Sequence, residues 1–155
     1  MIIVGLIPPA LYSLMLSQIA SHGFLVLTPF DYIALPQNQY DPKWIIEIDA
    51  WAQENLLHRL QEDGFELTGI NFANTLAVGH SSGNHVIVNY LKSGCYNIKG
   101  AVLLSPVDGV DPFGFIDDYC ITPGEKLSFE TPTLLISVGL DGLPGRSKHL
   151  DYGKS

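Results

Sequence analysis

Apolar residues in this chain group in two ways. Some form short unbroken blocks, and others recur at every third or fourth position over longer stretches. The blocks are Met1-Ile2-Ile3-Val4, Phe24-Leu25-Val26-Leu27, Thr75-Leu76-Ala77-Val78, Ala101-Val102-Leu103-Leu104 and Thr133 to Val138 after Pro132. Their length and lack of alternation predict strands buried on both faces. Between them, Leu11 to His22 predicts a helix with Leu11, Leu14, Met15 and Ile19 on one face and Gly23 as its stop. A longer helix starts at Asp41 as cap with Pro42 in its first position. Its stripe runs through Ile45, Ile48, Ala52, Leu56 and Leu60 to Gly64. A third helix covers Asn84 to Leu91 and ends near Gly94. Gly5 to Pro9, Phe30 to Tyr40 and the Asp-, Gly- and Pro-rich stretch Pro106 to Phe129 read as loops. Apolar strands alternating with helices predict an α/β fold: a parallel sheet covered on both faces, with ligands at the strands' C-terminal edge.

Composition narrows the class. At 155 residues there is material for one domain with a substantial core. Hydrophobic content of 46% against 15% charged argues for a packed chain. A net charge of −8 without a basic patch speaks against nucleic acid and against anionic membrane surfaces. Cys95 and Cys120 have no metal-ligand spacing, and without a secretion signal they are expected as free thiols. The apolar stretch Met1 to Ala20 lacks a positive n-region, because the first basic residue is Lys43, and Pro8-Pro9 interrupts it. It is read as strand and helix with neither signal peptide nor transmembrane segment, so the compartment defaults to cytoplasmic. A chain that opens in a buried strand also suggests loss upstream.

Chemistry enters at Gly79-His80-Ser81-Ser82-Gly83, a Gly-x-Ser-x-Gly pattern between a strand and a helix. Chance alone yields this pattern in about one chain in twenty of this length. The strand before it and the helix after it set this instance apart. In that setting the glycines permit a very sharp turn, and the serine at its apex is held strained and exposed as a nucleophile. The helix N-terminus and the Ser82 amide are placed to stabilise an oxyanion.

A serine nucleophile needs a base, and the base needs an acid to orient it. In hydrolases with this turn the chain order is Ser, then Asp or Glu, then His. Asp108 and Asp111 follow the Ala101–Leu104 strand, and Asp141 follows the last one. Asp108 and Asp141 qualify equally as the acid, with Asp111 behind them. Asp beside Gly is also ordinary turn chemistry. His22 and His58 precede the serine, His80 lies inside the turn and His85 on the helix after it. His149 alone has the required order, six residues from the end of the chain, where histidines are more often solvated than catalytic.

Four segments together resemble the chlorophyllase-type branch of the α/β-hydrolase superfamily, itself similar to cutinase-like polyester hydrolases. Ile19-Ala20-Ser21-His22-Gly23-Phe24-Leu25-Val26 matches the family's Ile-Ala-Ser-His-Gly-Phe-Ile-Val passage. Gly79-His80-Ser81-Ser82-Gly83 matches its Gly-His-Ser-Arg-Gly. Leu104-Ser105-Pro106-Val107-Asp108-Gly109 matches its Asp-Pro-Val-Asp-Gly loop, and Gly139-Leu140 its Gly-x-Gly-Leu-Gly turn. The resemblance implies a partial α/β-hydrolase fold of about five parallel strands with helices on both faces. Residues 1–155 then form a single core domain lacking the family's first strands and its last strand and helix. It further implies hydrolysis of carboxylic esters through an acyl-enzyme, with no metal or organic cofactor. The partner is a small-molecule ester, and Gly5-Leu6 falls where the family supplies a second oxyanion amide from Leu6.

Two departures divide the functional reading. Ser105 stands where the family has its acid, and a serine cannot carry the charge that stabilises an imidazolium. The chain ends Asp151-Tyr152-Gly153-Lys154-Ser155, with lysine where the family's Asp-Tyr-Gly-His-x-Asp stretch has histidine. The first reading is therefore an esterase with Ser81 as nucleophile, His149 as base, Asp108 or Asp141 as acid, and the Leu6 and Ser82 amides as oxyanion donors. The second is a non-catalytic member of the fold that binds an apolar ligand or a protein partner. A transferase or thioesterase on the same fold is a third.

Overall fold

The computed structural model describes residues 2–4, 8–30, 41–81, 83–94, 97–106 and 126–137. Its centre is a parallel sheet of four strands in sequence order, β1 (Ile2–Val4), β2 (Thr75–His80), β3 (Ile98–Leu104) and β4 (Thr133–Ile136). In register, Val4 lies beside Gly79, His80 beside Leu104, and Leu104 beside Ile136. The C-terminal ends of the strands are thus aligned at one edge of the sheet.

A short 3₁₀ turn, Pro9–Tyr12, leads into α1 (Ser13–Ala20). The second helical stretch is continuous through α2 (Lys43–Trp51), a π turn over Ala52–Leu56 and α3 (Leu57–Glu62). Its start is fixed by Asp41, whose Oδ1 accepts the Lys43 amide at 2.8 Å. That carboxylate also meets the positive end of the helix dipole. Gly23 and Gly64, at φ of 86° and 88°, end the two helical stretches in the left-handed conformation that costs glycine nothing.

The core lies on one face of the sheet. Strand alternation puts Ala77, Ala101, Leu103 and Leu135 on that face, under α2 and α4 (Gly83–Lys92). Ile45 of α2, Ile87 and Val88 of α4, and Leu103 of β3 are sealed from solvent. Each such side chain contributes about 1.5–3 kcal/mol by leaving water. α4 is buried on nearly every side, which is why its apolar residues run together as Val86-Ile87-Val88. The Tyr90 hydroxyl donates to Asp49 Oδ2 at 3.1 Å and ties α4 to α2.

Three expectations change. The block Phe24–Leu27 forms only an isolated bridge at Leu27, with Phe24 and Leu25 exposed, so the described residues contain four strands. An apolar block becomes a strand only where neighbours supply a ladder, and the block itself carries no sign of that. The 11–22 helix begins as a 3₁₀ turn, and its expected apolar face is not buried: Leu11 and Leu14 are exposed. On the sheet's second face Val102 and Leu104 are half-buried and Leu134 and Ile136 exposed. The expected two-sided burial is therefore strong on the α2/α4 side. No helix among the described residues is long and apolar enough to cross a membrane, and none of their His, Cys, Asp and Glu residues cluster as a metal site.

Candidate active site

β2 runs directly into α4 through a turn made by Ser81, which has φ of 53°. A non-glycine residue in this region costs on the order of 1–2 kcal/mol and persists only where surrounding bonds enforce it. Here they do. The Ser81 amide donates to Leu104 O at 3.0 Å, which carries the β2–β3 ladder one residue past the strand. The Asn84 amide donates back to Ser81 O at 3.1 Å and closes the turn. Asn84 Nδ2 bridges both segments, donating to Ser81 O at 2.6 Å and to Leu104 O at 3.0 Å.

Such a turn brings helix and strand very close. A Cβ on Gly79 would lie 2.7 Å from Asn84 Cα and 2.6 Å from its Oδ1, so only glycine fits. That buried Oδ1 has no hydrogen-bond partner among the described residues. The orientation of the amide is set by the two carbonyls on its other side.

The end of β3 repeats the feature. Ser105 has φ of 41°, and its amide donates to Ile136 O at 2.7 Å. Because His80 pairs with Leu104, Ser81 and Ser105 leave neighbouring strands side by side, each in a left-handed conformation. Pro106, the next residue, is fully buried.

On the opposite face from Gly79, the Tyr12 hydroxyl meets His80 Nδ1 at 2.6 Å, with the rings edge to face at 5.6 Å. Burial lowers the His80 pKa from 6.5 and raises that of Tyr12 from 10.0. The phenol thus keeps its proton and near neutrality the imidazole is uncharged, so the tautomer of the ring sets which of the two donates.

Of the expected site residues, Ser81 forms the left-handed turn between β2 and α4. Ser82, Leu6, Asp108, Asp111, Asp141 and His149 lie outside the described residues, as do Cys95 and Cys120. The remaining histidines are placed elsewhere. His22 is exposed beside Gln18, His58 faces Glu62 at 3.3 Å on α3, and His85 is buried within α4. The Ser81 hydroxyl has no histidine partner among the described residues. Tyr12 and Asn84 were not singled out in the sequence. Asn84 carries a usable signal, since it directly follows the second glycine of the pattern, whereas Tyr12 meets His80 across 68 residues.

A cavity of about 470 Å³ opens at the other end of β2, among Phe24, Leu27, Ala52, Leu56, Phe72 and Thr75. Thr75 begins the strand that Ser81 follows, so the cavity and Ser81 are separated by about 20 Å of strand. The cavity's polar lining, Asp49, Asn71, Asn74 and Thr75, therefore lies away from the Ser81 turn.

The family description Chlorophyllase matches residues 4–146. The chain belongs to the chlorophyllase family. Two curated chlorophyllases, Chlorophyllase-1, chloroplastic of Citrus unshiu and the protein of that name from Citrus sinensis, are each 30% identical to it over 134 residues. The match takes in 85% of this chain and 39% of each relative, so the chain spans about two-fifths of the length of these chlorophyllases. No solved structure matches. The matched region takes in the Ser81 turn, Ser105 and all of the sheet from Val4 onward.

Proposed function

We propose that this chlorophyllase-family chain is a carboxylic ester hydrolase with Ser81 as its nucleophile, on an α/β-hydrolase core of which residues 1–155 form one domain. The observation that carries this reading is the turn itself: left-handed Ser81 between β2 and α4, with Asn84 so close that position 79 admits only glycine. A nucleophile elbow has this geometry, and it holds a serine hydroxyl above the sheet edge. Ser81 Oγ attacks the ester carbonyl and its proton passes to His149, which Asp108 or Asp141 orients. The alcohol then leaves with that proton, and water hydrolyses the acyl-enzyme. The Leu6 and Ser82 amides hold the oxyanion in both steps. The family name makes a pigment ester one candidate substrate, and smaller lipid and aryl esters fit the same chemistry.

One observation favours a second reading, a non-catalytic chain that binds an apolar ligand or a partner. Ser105, strained at the end of β3, stands where the resemblance expects the acid. Intact-mass labelling with a fluorophosphonate separates the two. Stoichiometric labelling that disappears in Ser81→Ala is expected for a hydrolase. A folded sample that takes up no label would sink the hydrolase reading and leave the binding one.

A further inference from the structure

We propose that Tyr12 is a positioning residue for Ser81: its phenol holds His80 as the neutral tautomer with the proton on Nε2, and so pins the segment after β1 to the end of β2. This rests on the ester-hydrolase reading and adds a residue to it. The geometry is specific. Tyr12 lies in the 3₁₀ turn that follows β1, and His80 is the last residue of β2, immediately before Ser81. The 2.6 Å bond from phenol to Nδ1 and the edge-to-face rings join two segments that the sheet alone holds only through the three residues of β1. With Nδ1 accepting, the Nε2 position carries the hydrogen, so one phenol settles the donor pattern of the ring beside the serine.

Protonation would undo this arrangement. A charged His80 has donors at both nitrogens, so the phenol must turn to accept, and a positive charge appears next to Ser81. Among the described residues Tyr12 is the titratable group placed against the ring, and the strand neighbour of His80 on β3 is the apolar Leu104. Because burial lowers the His80 pKa, the neutral pair is complete above about 6.5 and fails only as pH falls through the lower folded value.

The test follows Ser81 labelling by a fluorophosphonate against pH, beside ¹⁵N–¹H spectra of the histidine ring. Tyr12→Phe keeps the ring packing and removes only the hydroxyl. It is expected to slow labelling roughly fivefold, move the acid limb of the pH profile and give a mixture of His80 tautomers. His80→Asn, whose Oδ1 can still accept the phenol, is expected to retain more of the rate than His80→Phe. If Tyr12→Phe labels at the wild-type rate with the same acid limb and the same tautomer, the positioning role is overturned while the hydrolase stands. A wild-type protein that does not label overturns the hydrolase reading and this role together.

Discussion

At position 79 the choice of residue is decided by tenths of an ångström. The hypothetical Cβ meets Asn84 Cα, a backbone atom that cannot swing aside as the end of a long side chain can. Gly79→Ala must therefore move α4 away from β2 or break the bonds that Asn84 makes to Ser81 O and Leu104 O. Either loss costs about 3 kcal/mol. Urea unfolding is expected to show a lower midpoint with an unchanged slope, and a midpoint equal to wild type would refute the close approach. The glycine was legible in the sequence, because a Gly-x-Ser-x-Gly flanked by strand and helix has a mechanical reason for each glycine. The left-handed Ser105 was not, since nothing in Leu-Ser-Pro-Val marks a residue whose conformation is imposed by the neighbouring strand. Its amide is held by Ile136 O, from a segment far along the chain.

Helices of similar apolar content differ widely here in what they bury. α4 has eight buried residues, whereas α1 has none, although Leu14, Met15 and Ile19 look in sequence like a core-facing stripe. Periodicity tells which residues share a face, and only the tertiary partner decides whether that face is covered. The same reason explains why Asp41, Pro42 and Gly64 were readable as ends of a helix while the π turn over Ala52–Leu56 was not. Caps are made by residues next to the helix, and a π turn depends on the surface against which the helix lies. Amide exchange at neutral pH should separate α1 from α4. Slow exchange is expected for Val86 to Leu91 and for β2 and β3, with α1 exchanging orders of magnitude faster through local opening. Equal protection of the two helices would contradict the burial pattern.

At the scale of the whole molecule, the core is one connected cluster. Ile45 from α2, Val86, Ile87, Val88, Tyr90 and Leu91 from α4, and Ala77, Ile98, Ala101 and Leu103 from the sheet pack together. Leu27, Trp44, Leu127, Phe129 and Leu135 close in on them from the remaining segments. Sequence blocks predicted the α/β class and most strand positions. The order of the strands and the unequal covering of the two faces arise from contacts between residues far apart in sequence, which no local pattern encodes. A cluster that spans every strand from β2 to β4 leaves no part of the core able to unfold alone, so the loss of one helix exposes the others. Trp44 reports on this directly, because it lies against the cluster, while Trp51 is 46% exposed. In a Trp51→Phe variant, the red shift of Trp44 emission and the loss of far-ultraviolet ellipticity are expected at the same urea concentration, as one cooperative transition. Two separated midpoints would mean that α2 leaves the sheet while α4 stays. The Tyr90–Asp49 bond and the burial of Ile45 would then contribute little to holding the two helices together.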